Sequence, residues 1–588
     1  MAVIVGFAEQ QHQNFFEDYE IYIFGERVTP YVKGDVRITI VDRDGFNTAT
    51  FDLDNALDRF LITPANLGMV IADDGTIKNV EAVWRLSEEG AYSEAIKKRI
   101  FDWKSNDGNN PPDSMGVRQY PLNVFGNIFT KNDPIRIAIH NPLTEEDQWF
   151  WRFTGFLDSK PADEDYVMGT QTMRITAYCI KALSQKMRVN QIAVGTVGIK
   201  VQEQLLKDPD SFFKDLDKPN AFTNPLANKK FENAMSDLIV GNTKEGWSGI
   251  GNLSRGITAY FVKSGADGVT CKSKDPICKS LEDWYAICLL GTSKRFLSFS
   301  EIDAIGEETY PGGAHWPILA KMHMLLPSSG TGAANLVEFE HAKGGSDTRE
   351  WTTRYDAICD LCSRIDYQWW TTGSGDIVVE FPMYDFNPKD FGEFKSVLTV
   401  DQHAKTGSID EDSGEIVTAI CVTGHIAWKE VDAHANKPKG VQPRAIVGST
   451  NLARRVGVNM QTHPLPFCDR PDTLVRLGYI ELQKRLADAN KISVSFGFRP
   501  FLLPNKPLMH LTRFAVGLTT AVTDSLMTHE RAETVVDTRY IRRMDASGKM
   551  RFITGGEAVP ISYNTLYGYD KKKNSTSGSG VASSVKGG

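Results

Sequence analysis

The chain has 588 residues and a net charge of −8, with 41% hydrophobic and 24% charged residues, so its length calls for several separate cores, on the order of three to five domains. The acidic balance speaks against a general phosphate-neutralising surface, and 8 cysteines are too dilute and irregularly spaced for a disulfide scaffold. No apolar run approaches the ~18 residues that cross a bilayer, and the start MAVIVGFAEQQHQNFFEDYE lacks a basic n-region and a small-residue cleavage site, so membrane insertion and a secretory leader are not expected and synthesis in the cytoplasm is.

In chain order, the first pattern is YVKGDVRITIVDRDGFNTATFDLDN. Val36, Ile38 and Ile40 alternate, DRDG turns the chain, and Ala49, Phe51 and Leu53 alternate against Thr48, Thr50 and Asp52, which predicts a β-hairpin with one buried face. Between 62 and 118 the alternation stops; SEEGAYSEAIKKRIFDW reads as helix and KSNDGNNPPDSMG as loop, an excursion from a β domain spanning 1–61 and 119–185. Strands return in DPIRIAIHNP, with Ile135, Ile137 and Ile139 on one face, and in QWFWRFTGFLDS, with Trp149, Trp151 and Phe153 on one face. A third follows in MGTQTMRITAYCIKAL.

From 186 to 345 the sequence is mixed and punctuated by Asn, Pro and Gly, an inserted, partly helical domain. SDTREWTTRYDAICDLCSRI predicts a helix over 348–364 capped by Ser346 or Asp347, with Trp351, Tyr355, Ile358, Cys359 and Cys362 on one stripe. YQWWTTGSGDIVVEFP then turns through TTGSGD as a hairpin, giving a helix-hairpin domain over 346–395. A second β domain covers 396–465 and 490–569 around a helix at 466–489, whose stripe is Val475, Tyr479, Leu482, Leu486 and Ala489 and whose first turn holds Pro471. The Gly/Ser/Lys-rich tail 570–588 is expected to be flexible.

Two stretches run alike. Each begins at a polar-Pro turn (Asp133-Pro134; Lys506-Pro507), continues through a strand to a glycine (Gly155; Gly517) and a strand ending near aspartate (Asp158; Asp524), and closes with a charged loop and a Thr-rich strand bearing Arg and Tyr. The same β unit is expected twice, over about 133–180 and 506–543.

Candidate chemistry is sparse. GDIVVEFPMYDFNP sets Asp376, Glu380 and Asp385 among apolar residues, and glycoside cleavage needs two carboxylates facing each other at roughly 5 to 9 Å. Strand parity instead groups Asp376 and Glu380 with Val378 on a mixed face and Ile377, Val379 and Phe381 on an apolar one. The expectation is solvated or hydrogen-bonded strand acids without a catalytic role. Cys359 and Cys362 in CDLC stand one helical turn apart, and CKSKDPIC adds Cys271 and Cys278. That loop spacing exceeds the usual zinc pattern and both helix cysteines fall on the apolar stripe, which favours small core residues over a metal site. His315 and His323 read as packed side chains, and KKRIFDWK and YIRRM as solvated basic runs. P-loop, dinucleotide and serine-hydrolase signatures are absent, so no catalytic, cofactor-binding or metal residue is assigned and no cofactor is expected.

Five stretches, in this order, resemble the hub proteins of tailed-phage baseplates, the group that includes late control D proteins and contractile-tail hubs: GDVRITIVDRDGFNTATFDLDN, WFWRFTGFLDS, WTTRYDAICDLCSRIDYQWWTTGSGDIVVEFPMYD, LVRLGYIELQKRLADANKISVSFGFRPFLLPNKPL and GLTTAVTDSLMTHERAETVVDTRYIR. The resemblance implies a multidomain α+β chain with two related tube-like β-barrel domains and inserted mixed α/β domains. It further implies a homotrimer whose six barrels ring a channel, a non-enzymatic adaptor between a sixfold tail tube and a threefold central spike. Its partners would be tube, spike and baseplate wedge or tape-measure proteins, with DNA present only in transit and a location in the virion tail baseplate. In such a hub GDIVVEFPMYD is a strand and exit loop, Pro382 and Pro388 ending the ladder and the acids keeping its exposed side soluble. The stretch 190–340 has no placed counterpart. A second reading puts cell-wall hydrolysis there, with Glu232, Asp237 and Glu245 as its acids.

Overall fold

The structure is a computed structural model that describes residues 18–43, 45–55, 60–62, 69–71, 77–79, 126–129, 131, 133–141, 144–158, 162–163, 172–187, 231–241, 259–264, 271–273, 281–291, 293–306, 322–326, 353–365, 367–380, 404–411, 416–424, 427–429, 439–441, 443–465, 471–488, 490–510, 515–526, 532–541, 547–552 and 560–562. The helix read in SEEGAYSEAIKKRIFDW lies outside them. No helix of the described residues is long and apolar enough to cross a membrane.

Alternating β-branched residues make the main sheet. β1 (Val32–Val41) and β2 (Thr48–Asp54) pair antiparallel as the hairpin expected, with Val36, Ile38, Ile40, Ala49, Phe51 and Leu53 all buried. β3 (Pro134–His140), β4 (Trp149–Leu157) and β5 (Thr172–Cys179) complete a first unit in the spatial order β1-β2-β5-β4-β3, antiparallel throughout. After β5 the chain tightens into a 3-10 turn, Ile180–Gln185.

The second half repeats this order. β6 (Ala404–Glu411), β7 (Asn490–Gly497), β8 (Pro507–His510), β9 (Ala515–Leu526) and β10 (Ala532–Ile541) lie as β6-β7-β10-β9-β8, again all antiparallel. The registers agree at the glycines: Gly155 lies opposite Ile135 and Cys179, and Gly517 opposite Leu508 and Tyr540. Ile135 and Leu508 each follow the proline that opens their strand. The two units fuse where Ala521–Leu526 of β9 pair with Val36–Val41 of β1, giving one 13-stranded sheet. Among the described residues its path is open, from β6 at one end to Glu26–Arg27 at the other, and no barrel closes.

β4 departs from simple alternation. A register shift between Trp151 and Phe153 marks a bulge, which inserts one residue and re-aims those beyond it. Trp149 and Trp151 therefore pack with Tyr22, Ala138 and Ile302, while Phe153 joins Phe150 and Leu157 in the main core. The expected common face of Trp149, Trp151 and Phe153 is corrected by that bulge.

A five-stranded sheet forms a second layer, with Ala259–Ser264, Met322–Leu326 and Ile377–Glu380 parallel and Cys271–Ser273 and Gln368–Thr371 antiparallel at its edges. Parallel strands of this kind are covered on both faces. Here Ile377, Val379 and Trp369 meet Ile358 and Leu361 of the helix Arg354–Ile365 and Met235 of the helix Phe231–Ile239, while Val378 and Trp370 face Trp284 and Ile287 of the helix Leu281–Leu290. The helix Arg354–Ile365 starts later than the spacing predicts. Its cap is Thr353 rather than Ser346 or Asp347: Thr353 Oγ1 accepts from the Asp356 amide at 3.1 Å, the N-cap bond, and donates to the Asp356 carboxylate at 2.7 Å. Trp351, Ser346 and Asp347 lie outside the described residues.

A third layer is the sheet Met460–Pro464, Ala419–Thr423, Pro443–Gly448, Ser547–Phe552, Pro560–Ser562. The helix Pro471–Asp488 covers it through Val475, Tyr479 and Leu482, packed against Ile420, Val422 and Val447. A Cβ at Gly478 would come within 2.5 Å of a Val422 methyl, so the glycine is what lets helix and sheet approach.

Candidate functional site

The most elaborate polar chemistry of the described residues lies at the seam between β1 and β9 and where the second layer rests on the first unit. Arg152, the residue at the β4 bulge, is 2% exposed and donates from Nε to the Asp524 carboxylate of β9 at 2.7 Å; Asp524 is 0% exposed. The same guanidinium donates to the Leu502 carbonyl at 3.2 Å from both terminal nitrogens, and Asp524 accepts from Thr534 Oγ1 at 2.8 Å. Each charge thus has a counter-charge and further hydrogen bonds, the condition for keeping an ion pair in a dry interior.

The hairpin of the second layer is clamped onto the first unit. Asn47, in the β1–β2 turn, donates to the carbonyl and hydroxyl of Thr371 at 2.6 and 2.8 Å, and Gln368 donates to the Asp42 carboxylate at 3.0 Å. Thr154 donates to the Gly373 carbonyl at 2.6 Å. A Cβ at Gly373 would sit 2.0 Å from the Trp151 carbonyl oxygen, so the TTGSGD turn can rest on β4 only because that residue lacks a side chain. Lys181 is buried, donates to the carbonyls of Arg43 and Trp369 at 2.7 and 3.1 Å, and lies 4.6 Å from the centre of the Trp369 ring. Burial lowers its pKa.

The acids of the hairpin are buried, which corrects the expectation that they keep an exposed side soluble. Glu380 is 0% exposed. Its two oxygens accept from the indoles of Trp284 and Trp370 at 2.8 and 2.9 Å, and Lys506, just before β8, stands 3.5 Å away. Asp376 faces the His323 ring nitrogen at 3.0 Å, so His323 is packed as its setting between methionines predicts. The parity grouping Glu380 with Val378 holds, but that face meets the main core rather than water. Asp385 lies outside the described residues.

Chemically the arrangement joins segments of the first and second layers and of the two units. A carboxylate whose oxygens are taken by two indoles and a lysine in a sealed core has no access to substrate. Of the acids of the second reading, Asp237 is buried in the helix Phe231–Ile239. Glu232 lies on the same helix, five residues earlier. Glu245 lies outside the described residues. Cys359 and Cys362 sit against the second-layer core, Cys362 buried with its thiol pKa raised well above the ordinary range by desolvation. Cys359 accepts from the Trp369 indole at 3.5 Å. Cys271 opens a short edge strand, and Cys278 and His315 lie outside the described residues. Among the described residues no three of His, Cys, Asp and Glu gather as a metal site.

Sequence reasoning missed the Arg152–Asp524 pair and the polar pocket of Glu380. A signal existed for the first: one arginine inside WFWRFTGFL, a run otherwise without charge.

No known protein family matches the sequence, and no curated protein does. Among solved structures the chain is similar to a tail protein of a prophage from Shewanella oneidensis (8% identity, 89% of this chain and 98% of that one, TM-score 0.40). It is also similar to a tail protein from Neisseria meningitidis (9% identity, 89% and 96%, TM-score 0.39) and to a prophage tail protein from Listeria monocytogenes (8% identity, 89% and 94%, TM-score 0.36). These overlaps are loose.

Proposed function

We propose that the chain is a structural hub of a phage tail, a trimeric adaptor between a sixfold tube and a threefold spike that forms part of the DNA channel. The observation that carries this reading is the duplicated unit: the order β1-β2-β5-β4-β3 recurs as β6-β7-β10-β9-β8 with the glycine registers matched. A chain with two equivalent units presents six of them when three copies assemble, the arithmetic a sixfold-to-threefold adaptor needs. The order of the five stretches that resemble baseplate hubs supports the same reading. In the ring each unit curls into a tube-like barrel, one built from 1–61 and 119–185 and the other from 396–465 and 490–569, with 62–118, 186–345, 346–395 and the helix 466–489 as attachments and 570–588 as a tail.

The second unit carries the layer with the helix Pro471–Asp488 between β6 and β7, whereas β1 and β2 join by a short turn. That attachment occurs once per chain, so it reduces six equivalent units to three and offers a threefold surface. The channel face is net acidic or neutral, with the loops 160–166 and 528–533 as contributors and Arg539, Arg542 and Arg543 at subunit or tube contacts, because a basic lumen would hold phosphates and stop the duplex.

Light scattering of the purified chain tests the reading. Three times the 65.5 kDa of one chain, with particle images of threefold and near-sixfold symmetry, is expected. A monomer, or tight salt-sensitive duplex binding, would overturn it, and release of fragments from isolated cell walls would favour the hydrolase reading.

A further inference from the structure

The seam between β9 and β1 also specifies how one copy meets the next. β6, the counterpart of β1, ends the 13-stranded sheet: among the described residues it pairs only with β7, leaving a row of backbone donors and acceptors along its outer edge. Its counterpart strand does not end there, since β1 continues into β9. The first unit in turn holds an unfilled counterpart of the strand that receives β1. Ala162–Asp163 pair with Arg174 and Met173 of β5, extending β4 beyond Leu157 as the outer half of β9 extends that strand along β10. Among the described residues their other side has no strand.

We infer that β6 of one copy adds to the Ala162–Asp163 edge of the next, repeating between chains the β1–β9 seam within the chain. This rests on the trimeric reading above.

The register follows from equivalence alone. Cys179 and Tyr540 are equivalent, as partners of Gly155 and Gly517. Counting back along β5 and β10 makes Ala177 equivalent to Thr538 and Met173 to Thr534. Ile38 lies opposite Ala49, which pairs with Ala177, and Ile409 lies opposite Ile492, which pairs with Thr538; Ile409 is the counterpart of Ile38. Asp163 pairs with Met173 and Asp524 with Thr534, so Asp163 is the counterpart of Asp524. Within the chain Ile38 lies opposite Asp524. Between chains Ile409 therefore lies opposite Asp163 of the next copy, and Asp410 opposite its Ala162.

The contact is head-to-tail, the kind that closes into a ring when the rotation per copy permits. It also removes the exposed edge, a liability in an isolated sheet.

Cysteine trapping in the full chain tests this. Directly opposed residues of an antiparallel pair lie within disulfide range, so oxidised Ile409→Cys/Asp163→Cys protein is expected to run as covalent dimers and trimers without reductant, and neither single variant is. Gly407→Pro, which removes a donor from the outer edge of β6, the Gly407 amide facing away from β7 where that of Ser408 faces Ser493, is expected to abolish the trimer while leaving thermal unfolding of the monomer intact. A wild-type monomer would sink the trimeric reading itself. A wild-type trimer that Gly407→Pro leaves unchanged and the double variant fails to cross-link would sink this contact alone.

Discussion

The two β units share one strand order and differ in what each carries. The first places its long excursion between β2 and β3, the second between β6 and β7, and each insertion leaves the sheet itself undisturbed. The bulges differ as well: β4 shifts register at Arg152, three residues before its glycine, and β9 at Thr520, three residues after. Most telling is the charge. The first unit contributes Arg152 and the second Asp524 to one buried pair, so the units are complementary to each other and not to themselves. A duplicated fold that keeps backbone equivalence while its buried charges diverge fixes which unit sits beside which.

Removing one side of that pair is the strongest way to break the complementarity. Asp524→Ala leaves Arg152 buried without its counter-charge and is expected to cost about 3 to 5 kcal/mol in urea unfolding. Arg152→Met with Asp524→Leu should recover most of it; a double variant no better than the single would show that the charges are not coupled.

The two glycines report how far the equivalence of the units extends. A Cβ at Gly155 would stand 2.3 Å from the Tyr178 carbonyl oxygen, so Gly155→Ala should cost about 1 to 3 kcal/mol through overpacking. Gly517→Ala should cost the same if the equivalence extends from register to packing, and unequal melting shifts would confine it to topology.

Glu380 tethers the hairpin layer to the second unit through Lys506. Glu380→Gln turns one of two acceptors into a donor facing an indole N–H and weakens the lysine contact, an expected loss of about 1 to 3 kcal/mol. An unchanged midpoint in chemical denaturation would show that Lys506 and the indoles are satisfied without the charge.

The smallest effect is alkaline. Burial pushes the Cys288 thiol, in the helix against the first unit's core, well above the 9.0 of a free thiol. A thiol raised in the folded state contributes stability that is whole below 9.0 and declines above it, as the unfolded chain ionises first. One pH unit beyond that point the loss is about 1 kcal/mol. Lys181, whose pKa burial lowers, works in the opposite sense, so the readout is the difference in slope between wild type and Cys288→Ala. Equal slopes would mean that the thiol is hydrated in the fold.

Much of the sheet was legible because half-buried strands write their geometry at period two: Val36, Ile38 and Ile40 needed only alternation, and Gly155 and Gly517 marked the duplication. Phe153 was misplaced because a bulge inserts a residue without a composition of its own. Glu380 was assigned the right face and the wrong surroundings, since what covers that face comes from Trp284 and Lys506, 96 and 126 positions away. Local pattern says which residues share a side; it does not say what arrives to bury it. The helix cap failed for a related reason, as Ser346, Asp347 and Thr353 all have capping chemistry and only the turn selects one.

The seam has a consequence for synthesis. Thr39 and Thr523 meet there at 3.1 Å although 484 positions separate them, so at ribosomal speed β1 waits on the order of tens of seconds for its neighbour. During that time a nascent chain carries an alternating Val-Arg-Ile-Thr-Ile edge with nothing beside it. Folding of the first unit then ends near the close of translation, and truncated products that stop short of β9 are the ones expected to collect in inclusion bodies.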